Sequence, residues 1–132
     1  ERVPMALRKP RCAALVALGA MQSESHLPAI VALLKSEDWE VRFCAMEAVG
    51  VMGEAARGNA GAVAELLDDN LYPVRAQACA AIGALGAQQL VDRMVEMLQD
   101  SSQVVRGEAV VAMGKMGQPA CEYTTEMAKL LS

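Results

Sequence analysis

The chain has 132 residues, a net charge of −4 and 54% hydrophobic side chains, yet its aromatic residues are only Trp39, Phe43, Tyr72 and Tyr123. This composition suits one domain with a buried core and excludes a disordered, collagen-like or disulfide-framework chain. Scarce aromatics and a pI near 5.0 also argue against a nucleic-acid binder that stacks bases or grips the phosphate backbone.

Four segments share one frame: PRCAALVALGAMQ from Pro10, VRFCAMEAVGVMG from Val41, VRAQACAAIGALG from Val74 and VRGEAVVAMGKMG from Val105. Their arginines, Arg11, Arg42, Arg75 and Arg106, are spaced by 31, 33 and 31 residues, the signature of a repeat array. Three residues after each comes Ala14, Ala45, Ala78 or Ala109, and six after comes Ala17, Ala48, Ala81 or Ala112. Gly follows eight residues after each arginine, at Gly19, Gly50, Gly83 and Gly114. Eleven after stand Gly53, Gly86 and Gly117, with Gln22 departing from the rule.

Each segment reads as an amphipathic helix. In the third, Val74, Ala78, Ala81, Ile82 and Leu85 form one apolar stripe at steps of three and four. The fixed alanines let a neighbouring helix come close, and the last Gly is placed for a left-handed residue just past the helix end. Ser36-Glu37-Asp38, Asp68-Asp69-Asn70 and Asp100-Ser101-Ser102 are expected to cap the helix starts. Pro10 and Pro73 fall in the first turn, where a missing N–H is harmless.

A second apolar stripe precedes each new arginine place. It is marked by Leu34, Leu67, Leu98 and Leu131, with Ile30, Val63, Met94 and Met127 one turn earlier. The unit is therefore helix–turn–helix, at about residues 5–35, 36–67, 68–98 and 99–132 of one domain spanning 1–132. Neither helix buries its stripe alone, so the units must stack. Val3 stands in the place of Leu34, and Leu130 and Leu131 would still present an apolar face. Both ends are expected to be uncapped, as in a longer array or one packed against neighbouring subunits.

Little in the sequence suggests chemistry. Cys12, Cys44, Cys79 and Cys121 form no CxxC pair, and one His cannot complete a usual zinc set, so no metal or cofactor is expected. The cysteines read as small buried hydrophobes of a protein in a reducing intracellular compartment. The longest apolar run, Cys12 to Met21, is about half a membrane span, so membrane insertion is not expected. A start at Glu1, with neither initiator Met nor signal peptide, suggests processing or a piece of something longer.

An acidic loop, then xVRxxAxxALGxxG, then an apolar helix ending in Leu-Leu resembles the HEAT repeat, most of all the short HEAT-like kind associated with phycobilisome lyases. The resemblance covers about Arg8 to Leu131. It implies an all-α, right-handed solenoid with first helices on the convex side and second helices lining the concave side. It also implies a protein-binding scaffold, although enzymes use the same architecture. Deoxyhypusine hydroxylase is similar in fold but holds iron with His-Glu pairs, and here the corresponding places read Phe43-Cys44, Ala76-Gln77 and Gly107-Glu108. A phycobilin lyase or bilin carrier remains the alternative, although repeat type alone does not carry function.

Function is then expected on inner-helix positions that break the stripe: Ala29 and Ala32 beside Pro28, Ala62 and Glu65 beside Gly61, Asp92, Arg93 and Glu96, and Glu126 and Lys129 beside Thr125. This surface grades from small and apolar to acidic. It is expected to take a protein segment in a non-enzymatic interaction, or to dock into a larger assembly. The arginine ladder (Arg11, Arg42, Arg75, Arg106) is read as structural, each guanidinium bonding acids or carbonyls of the loops, with Asp38, Asp69 and Asp100 as candidates.

Overall fold

A computed structural model describes residue 4 and residues 8–117 and 122–131. The readings that involve Val3 and Cys121 fall outside the described residues. All regular structure among the described residues is helical, and the fold is an all-α solenoid. First helices are α1 (Pro10–Ala20), α3 (Trp39–Met52), α5 (Tyr72–Leu85) and α7 (Gln103–Met116). Second helices are α2 (Leu27–Ala32), α4 (Ala60–Ala64), α6 (Val91–Met97) and α8 (Thr124–Ala128). First helices pack side by side in chain order, and α2, α4 and α6 each pack on the first helix of the following unit.

The second helices are shorter than one continuous stripe would suggest. Their α-helical cores are extended by 3₁₀ turns at Leu33–Lys35, Glu65–Asp68 and Lys129–Leu131, so the Leu-Leu pairs of the first, second and last units end in tightened turns. Such turns give the last carbonyls closer partners where the helix stops.

The core lies between the two layers. Ala45, Ala78 and Ala109 are fully buried, as are Ala48, Ala81 and Ala112 to within a few per cent. Met46, Met52, Met94, Met97, Met113 and Met116 fill the same core, as do Cys12, Cys44 and Cys79. In the first unit, by contrast, Ala14 and Ala17 are exposed, because no helix packs on that side of α1 among the described residues.

Glycine at the eighth place sets the distance between first helices. A Cβ on Gly19 would lie 2.9 Å from the Ala48 Cα, and one on Gly83 would lie 2.8 Å from the Ala112 Cα. Gly50 is looser, at 3.5 Å from the Ala81 Cα. The glycines at the eleventh place all have positive φ, but only Gly86 is left-handed helical (φ 64, ψ 36). Gly53 (φ 59, ψ −127) and Gly117 (φ 72, ψ −123) take a conformation open essentially to Gly alone, which corrects the uniform left-handed expectation. Gln22 also has positive φ, 55, and its side-chain amide donates to the Val51 carbonyl at 3.0 Å.

The same substitution should therefore have opposite signs at aligned places. Gly83→Ala should destabilise by about 1–3 kcal/mol, because the Ala112 backbone must move. Gly114→Ala, with nothing within 4 Å of the new Cβ, should stabilise dilute protein by about 0.5–1 kcal/mol through helix propensity. Denaturant unfolding measures both. Leu67→Ala, at a residue 1% exposed, should cost about 2–5 kcal/mol in the same assay.

Candidate interaction face

The polar ladder fixes how successive units sit, and hence where the second-helix face lies. Arg42, Arg75 and Arg106 each donate to the carbonyl six residues earlier: Ser36 at 2.7 Å, Asp69 at 2.9 Å and Asp100 at 2.6 Å. Two of them also reach the next unit's acid. Arg42 pairs with Asp69 at 3.1 Å, and Arg75 grips Asp100 with two donors at 2.9 and 3.1 Å. Each acid accepts as well from the backbone two residues on, Leu71 N–H for Asp69 and Ser102 N–H for Asp100. These arginine–carboxylate pairs are largely covered, so loop acid and guanidinium hold a shared geometry.

The place of Asp69 and Asp100 is taken in the second unit by Ser36, not by Asp38 as the loop sequence suggested. Ser36 accepts from the Asp38 N–H at 3.2 Å, while Asp38 caps α3 by accepting from the Glu40 N–H at 3.0 Å. With no acid at Ser36, Arg11 has no carboxylate to meet there, and it is exposed. Lys9 takes over this contact, bonding Asp38 and, at 2.8 Å, Glu40, which Arg8 also reaches. The hydrogen bond to Lys9 holds both carboxyls below their usual range and holds the ammonium above its own. In the third unit Leu71 stands at the cap position and has no capping side chain.

On the second-helix face the expected residues divide into two groups. Pro28, Ala32, Ala62 and Glu65 come together with Val31, Lys35 and Leu66 around a cleft of about 470 Å³ between α2 and α4. Ala29 is exposed beside the cleft but does not line it. The other group is a web of ion pairs rather than a bare acidic surface. Arg93 meets Asp68 and Glu96, each at 3.2 Å, and Lys129 meets Glu126 at 3.2 Å. Tyr123 donates to Asp92 at 2.8 Å, a bond that pushes the phenol up to about 12.

Sequence reasoning missed Lys35, Asp68 and Tyr123. The partners of the last two lie 25 and 31 residues away, and only the packed helices show the contacts. A smaller recess of about 220 Å³ lies on the first-helix face, among Glu47, Gly50, Val51, Ala80, Ala84 and Lys115. Burial pushes the Cys44 and Cys79 thiols up to about 12, which leaves them protonated and poor nucleophiles. Among the described residues no group of three His, Cys, Asp or Glu side chains is placed to hold a metal. None of the described helices is long and apolar enough to cross a membrane.

Two layers of stacked helix pairs, joined by an arginine ladder and set close by Gly-Ala contacts, are matched by the family of HEAT repeats over residues 7–60 and 59–129. The chain belongs to the HEAT-repeat family. None of the curated proteins compared with it matches. HEAT repeats generally mediate protein–protein interaction and are typically non-enzymatic. Here each HEAT match spans two helix pairs, and the cleft at Ala32 and Ala62 lies where the second helices of the first two repeats meet.

The ladder makes stability depend on pH. Burial raises the Asp100 carboxyl, but the bonds from Arg75 and the Ser102 amide outweigh it, and its pKa is lowered. A carboxyl lowered in the folded state contributes fully above its unfolded value near 3.9, and the contribution is lost as pH falls through the lowered value. Asp100→Asn should cost about 1–3 kcal/mol at neutral pH. That gap should close on acidification below the ordinary carboxylate range, as read by denaturant melts across pH.

Proposed function

We propose that this HEAT-repeat chain is a non-enzymatic protein-interaction module, or scaffold subunit, that takes a partner segment along its second-helix face. The cleft between α2 and α4 carries this reading. It is walled by short or apolar side chains and rimmed by the exposed pair Lys35 and Glu65. An apolar side chain of a helical or extended segment fits such a recess, with a basic neighbour beside Glu65.

Further along, Asp68, Asp92, Glu96 and Glu126 outnumber Arg93 and Lys129, so the face favours a partner that is basic beyond its apolar anchor. Because several of these acids already have cationic partners, the attraction acts mainly on encounter rate and specificity and weakens with salt. The cleft supplies most of the affinity.

The test is affinity capture from the source organism with wild-type protein, then quantitative binding of the recovered partner by variants. Ala62→Arg should fill the cleft and lower affinity at least tenfold. Reversing Glu65 and Glu96 together to Lys should slow association at low salt, with thermal stability nearly unchanged, since exposed ion pairs contribute little. Glu47→Lys, on the opposite face, should leave binding as it was. Equal binding by Ala62→Arg and wild type would refute the second-helix face as the site.

A further inference from the structure

We infer that the first-helix face pairs two copies of this chain through a two-fold contact centred on α5. This face lies opposite the second-helix cleft and is independent of it. Its recess opens over Ala80 and Ala84, whose short side chains leave a trough between α3 and α7. Val51 on α3 lines the trough, and Val111 sits on α7 one turn before Lys115; the two valines are 54% and 53% exposed. Glu47 and Lys115 complete the rim. Both are exposed and, among the described residues, neither forms an ion pair. The openness of this face does not come from where the chain starts or stops. Val51 and Ala84, in internal units, share the place of Lys115 and are exposed as it is. Further repeats would stack on the first or last unit and leave the face uncovered.

The surface is complementary to itself. Gly50 lies beside Ala81 and Gly83 beside Ala112, so Val51 and Val111 stand near one level on either side of α5. Glu47 is four residues before that level on α3, and Lys115 is four after it on α7. Ala80 and Ala84 straddle the same level on α5. A two-fold axis through it, normal to the face, therefore exchanges Glu47 with Lys115, Val51 with Val111 and Ala80 with Ala84. A second copy turned about this axis lays its α5 antiparallel over the first, and the short alanines let the two helices come close. Val51 of each copy then meets Val111 of the other, and Glu47 meets Lys115 twice.

This matching of opposite charges at two-fold-related places is what selects a second copy as the occupant. An isologous contact is closed, so association stops at the dimer. The apolar part is built from valine and alanine and is narrow, which puts the contact at the small, reversible end of protein interfaces.

Sedimentation velocity over a wide concentration range tests this, with Glu47→Lys and Lys115→Glu. Both residues are exposed, so thermal unfolding should match wild type. Wild type should pass from monomer to dimer as concentration rises and go no further. Either variant alone sets like charges opposite each other twice, and should raise the dissociation constant about tenfold or more at low salt. An equimolar mixture of the two restores both opposite pairs and should dimerise as wild type does. Ala62→Arg, in the second-helix cleft, should also pair as wild type does, which separates failure of this contact from failure of the cleft as a binding site. Wild type that stays monomeric at every concentration would overturn the inference, as would growth beyond the dimer or single variants that pair as tightly as wild type. So would a mixture that pairs no better than its separate components, which would leave the face to a different partner.

Discussion

The closeness of the first helices is the constraint on which the rest depends. Backbone-to-backbone approach at Gly19–Ala48 and Gly83–Ala112 leaves no room for a side chain. It brings α1, α3, α5 and α7 into one dense layer whose interior is alanine, valine and methionine rather than aromatic rings. Close approach also brings the loops of neighbouring units within reach of a single guanidinium. The Arg42–Asp69 and Arg75–Asp100 pairs follow from the packing as much as they support it. With the first layer so fixed, α2 and α4 flank the recess at Ala32 and Ala62.

The repeat, its helix pairs and its buried columns were legible in the sequence because each rests on a local period. Residues at a given place have the same environment in every internal unit, so the Ala, Gly and Leu columns report burial directly. The end units break that inference. Ala14 and Ala17 carry core residue types and are exposed, because burial depends on the neighbour and not on the residue. The loop acids were harder still. Asp38, Asp69 and Asp100 look equivalent by proximity to the arginine, yet Asp38 stands two places later and caps its own helix. Only the register of the Asx-type turns separates the two roles.

The candidate face was legible in part. Period alone identified Ala32, Ala62 and Glu65 as outward residues of the second helices, and they line the cleft. The acids of the far end were legible too, but not their pairing, because counting charges takes no account of side-chain reach. Arg93 spans Asp68, at the end of the turn that extends α4, and Glu96 on its own helix, and Tyr123 reaches back to Asp92 across one repeat. Such contacts depend on inter-repeat rotation, which no single repeat encodes.

The serine at position 36 bears on how the molecule comes apart. In a stacked array each unit is held only by its neighbours, so local stabilities follow the strength of successive joints. The joint between the first and second units has no rung from the ladder arginine, Arg11, and relies on Lys9 and Arg8, whose side chains are a third to a half exposed. Helix α1 buries only Cys12, Leu15 and Gly19. A joint held in this way should open at lower cost than the α3–α5 and α5–α7 joints, with the amides of α1 exchanging through a partial unfolding that leaves α3, α5 and α7 stacked. Where successive joints differ in strength, local opening of the weaker one precedes loss of the whole stack.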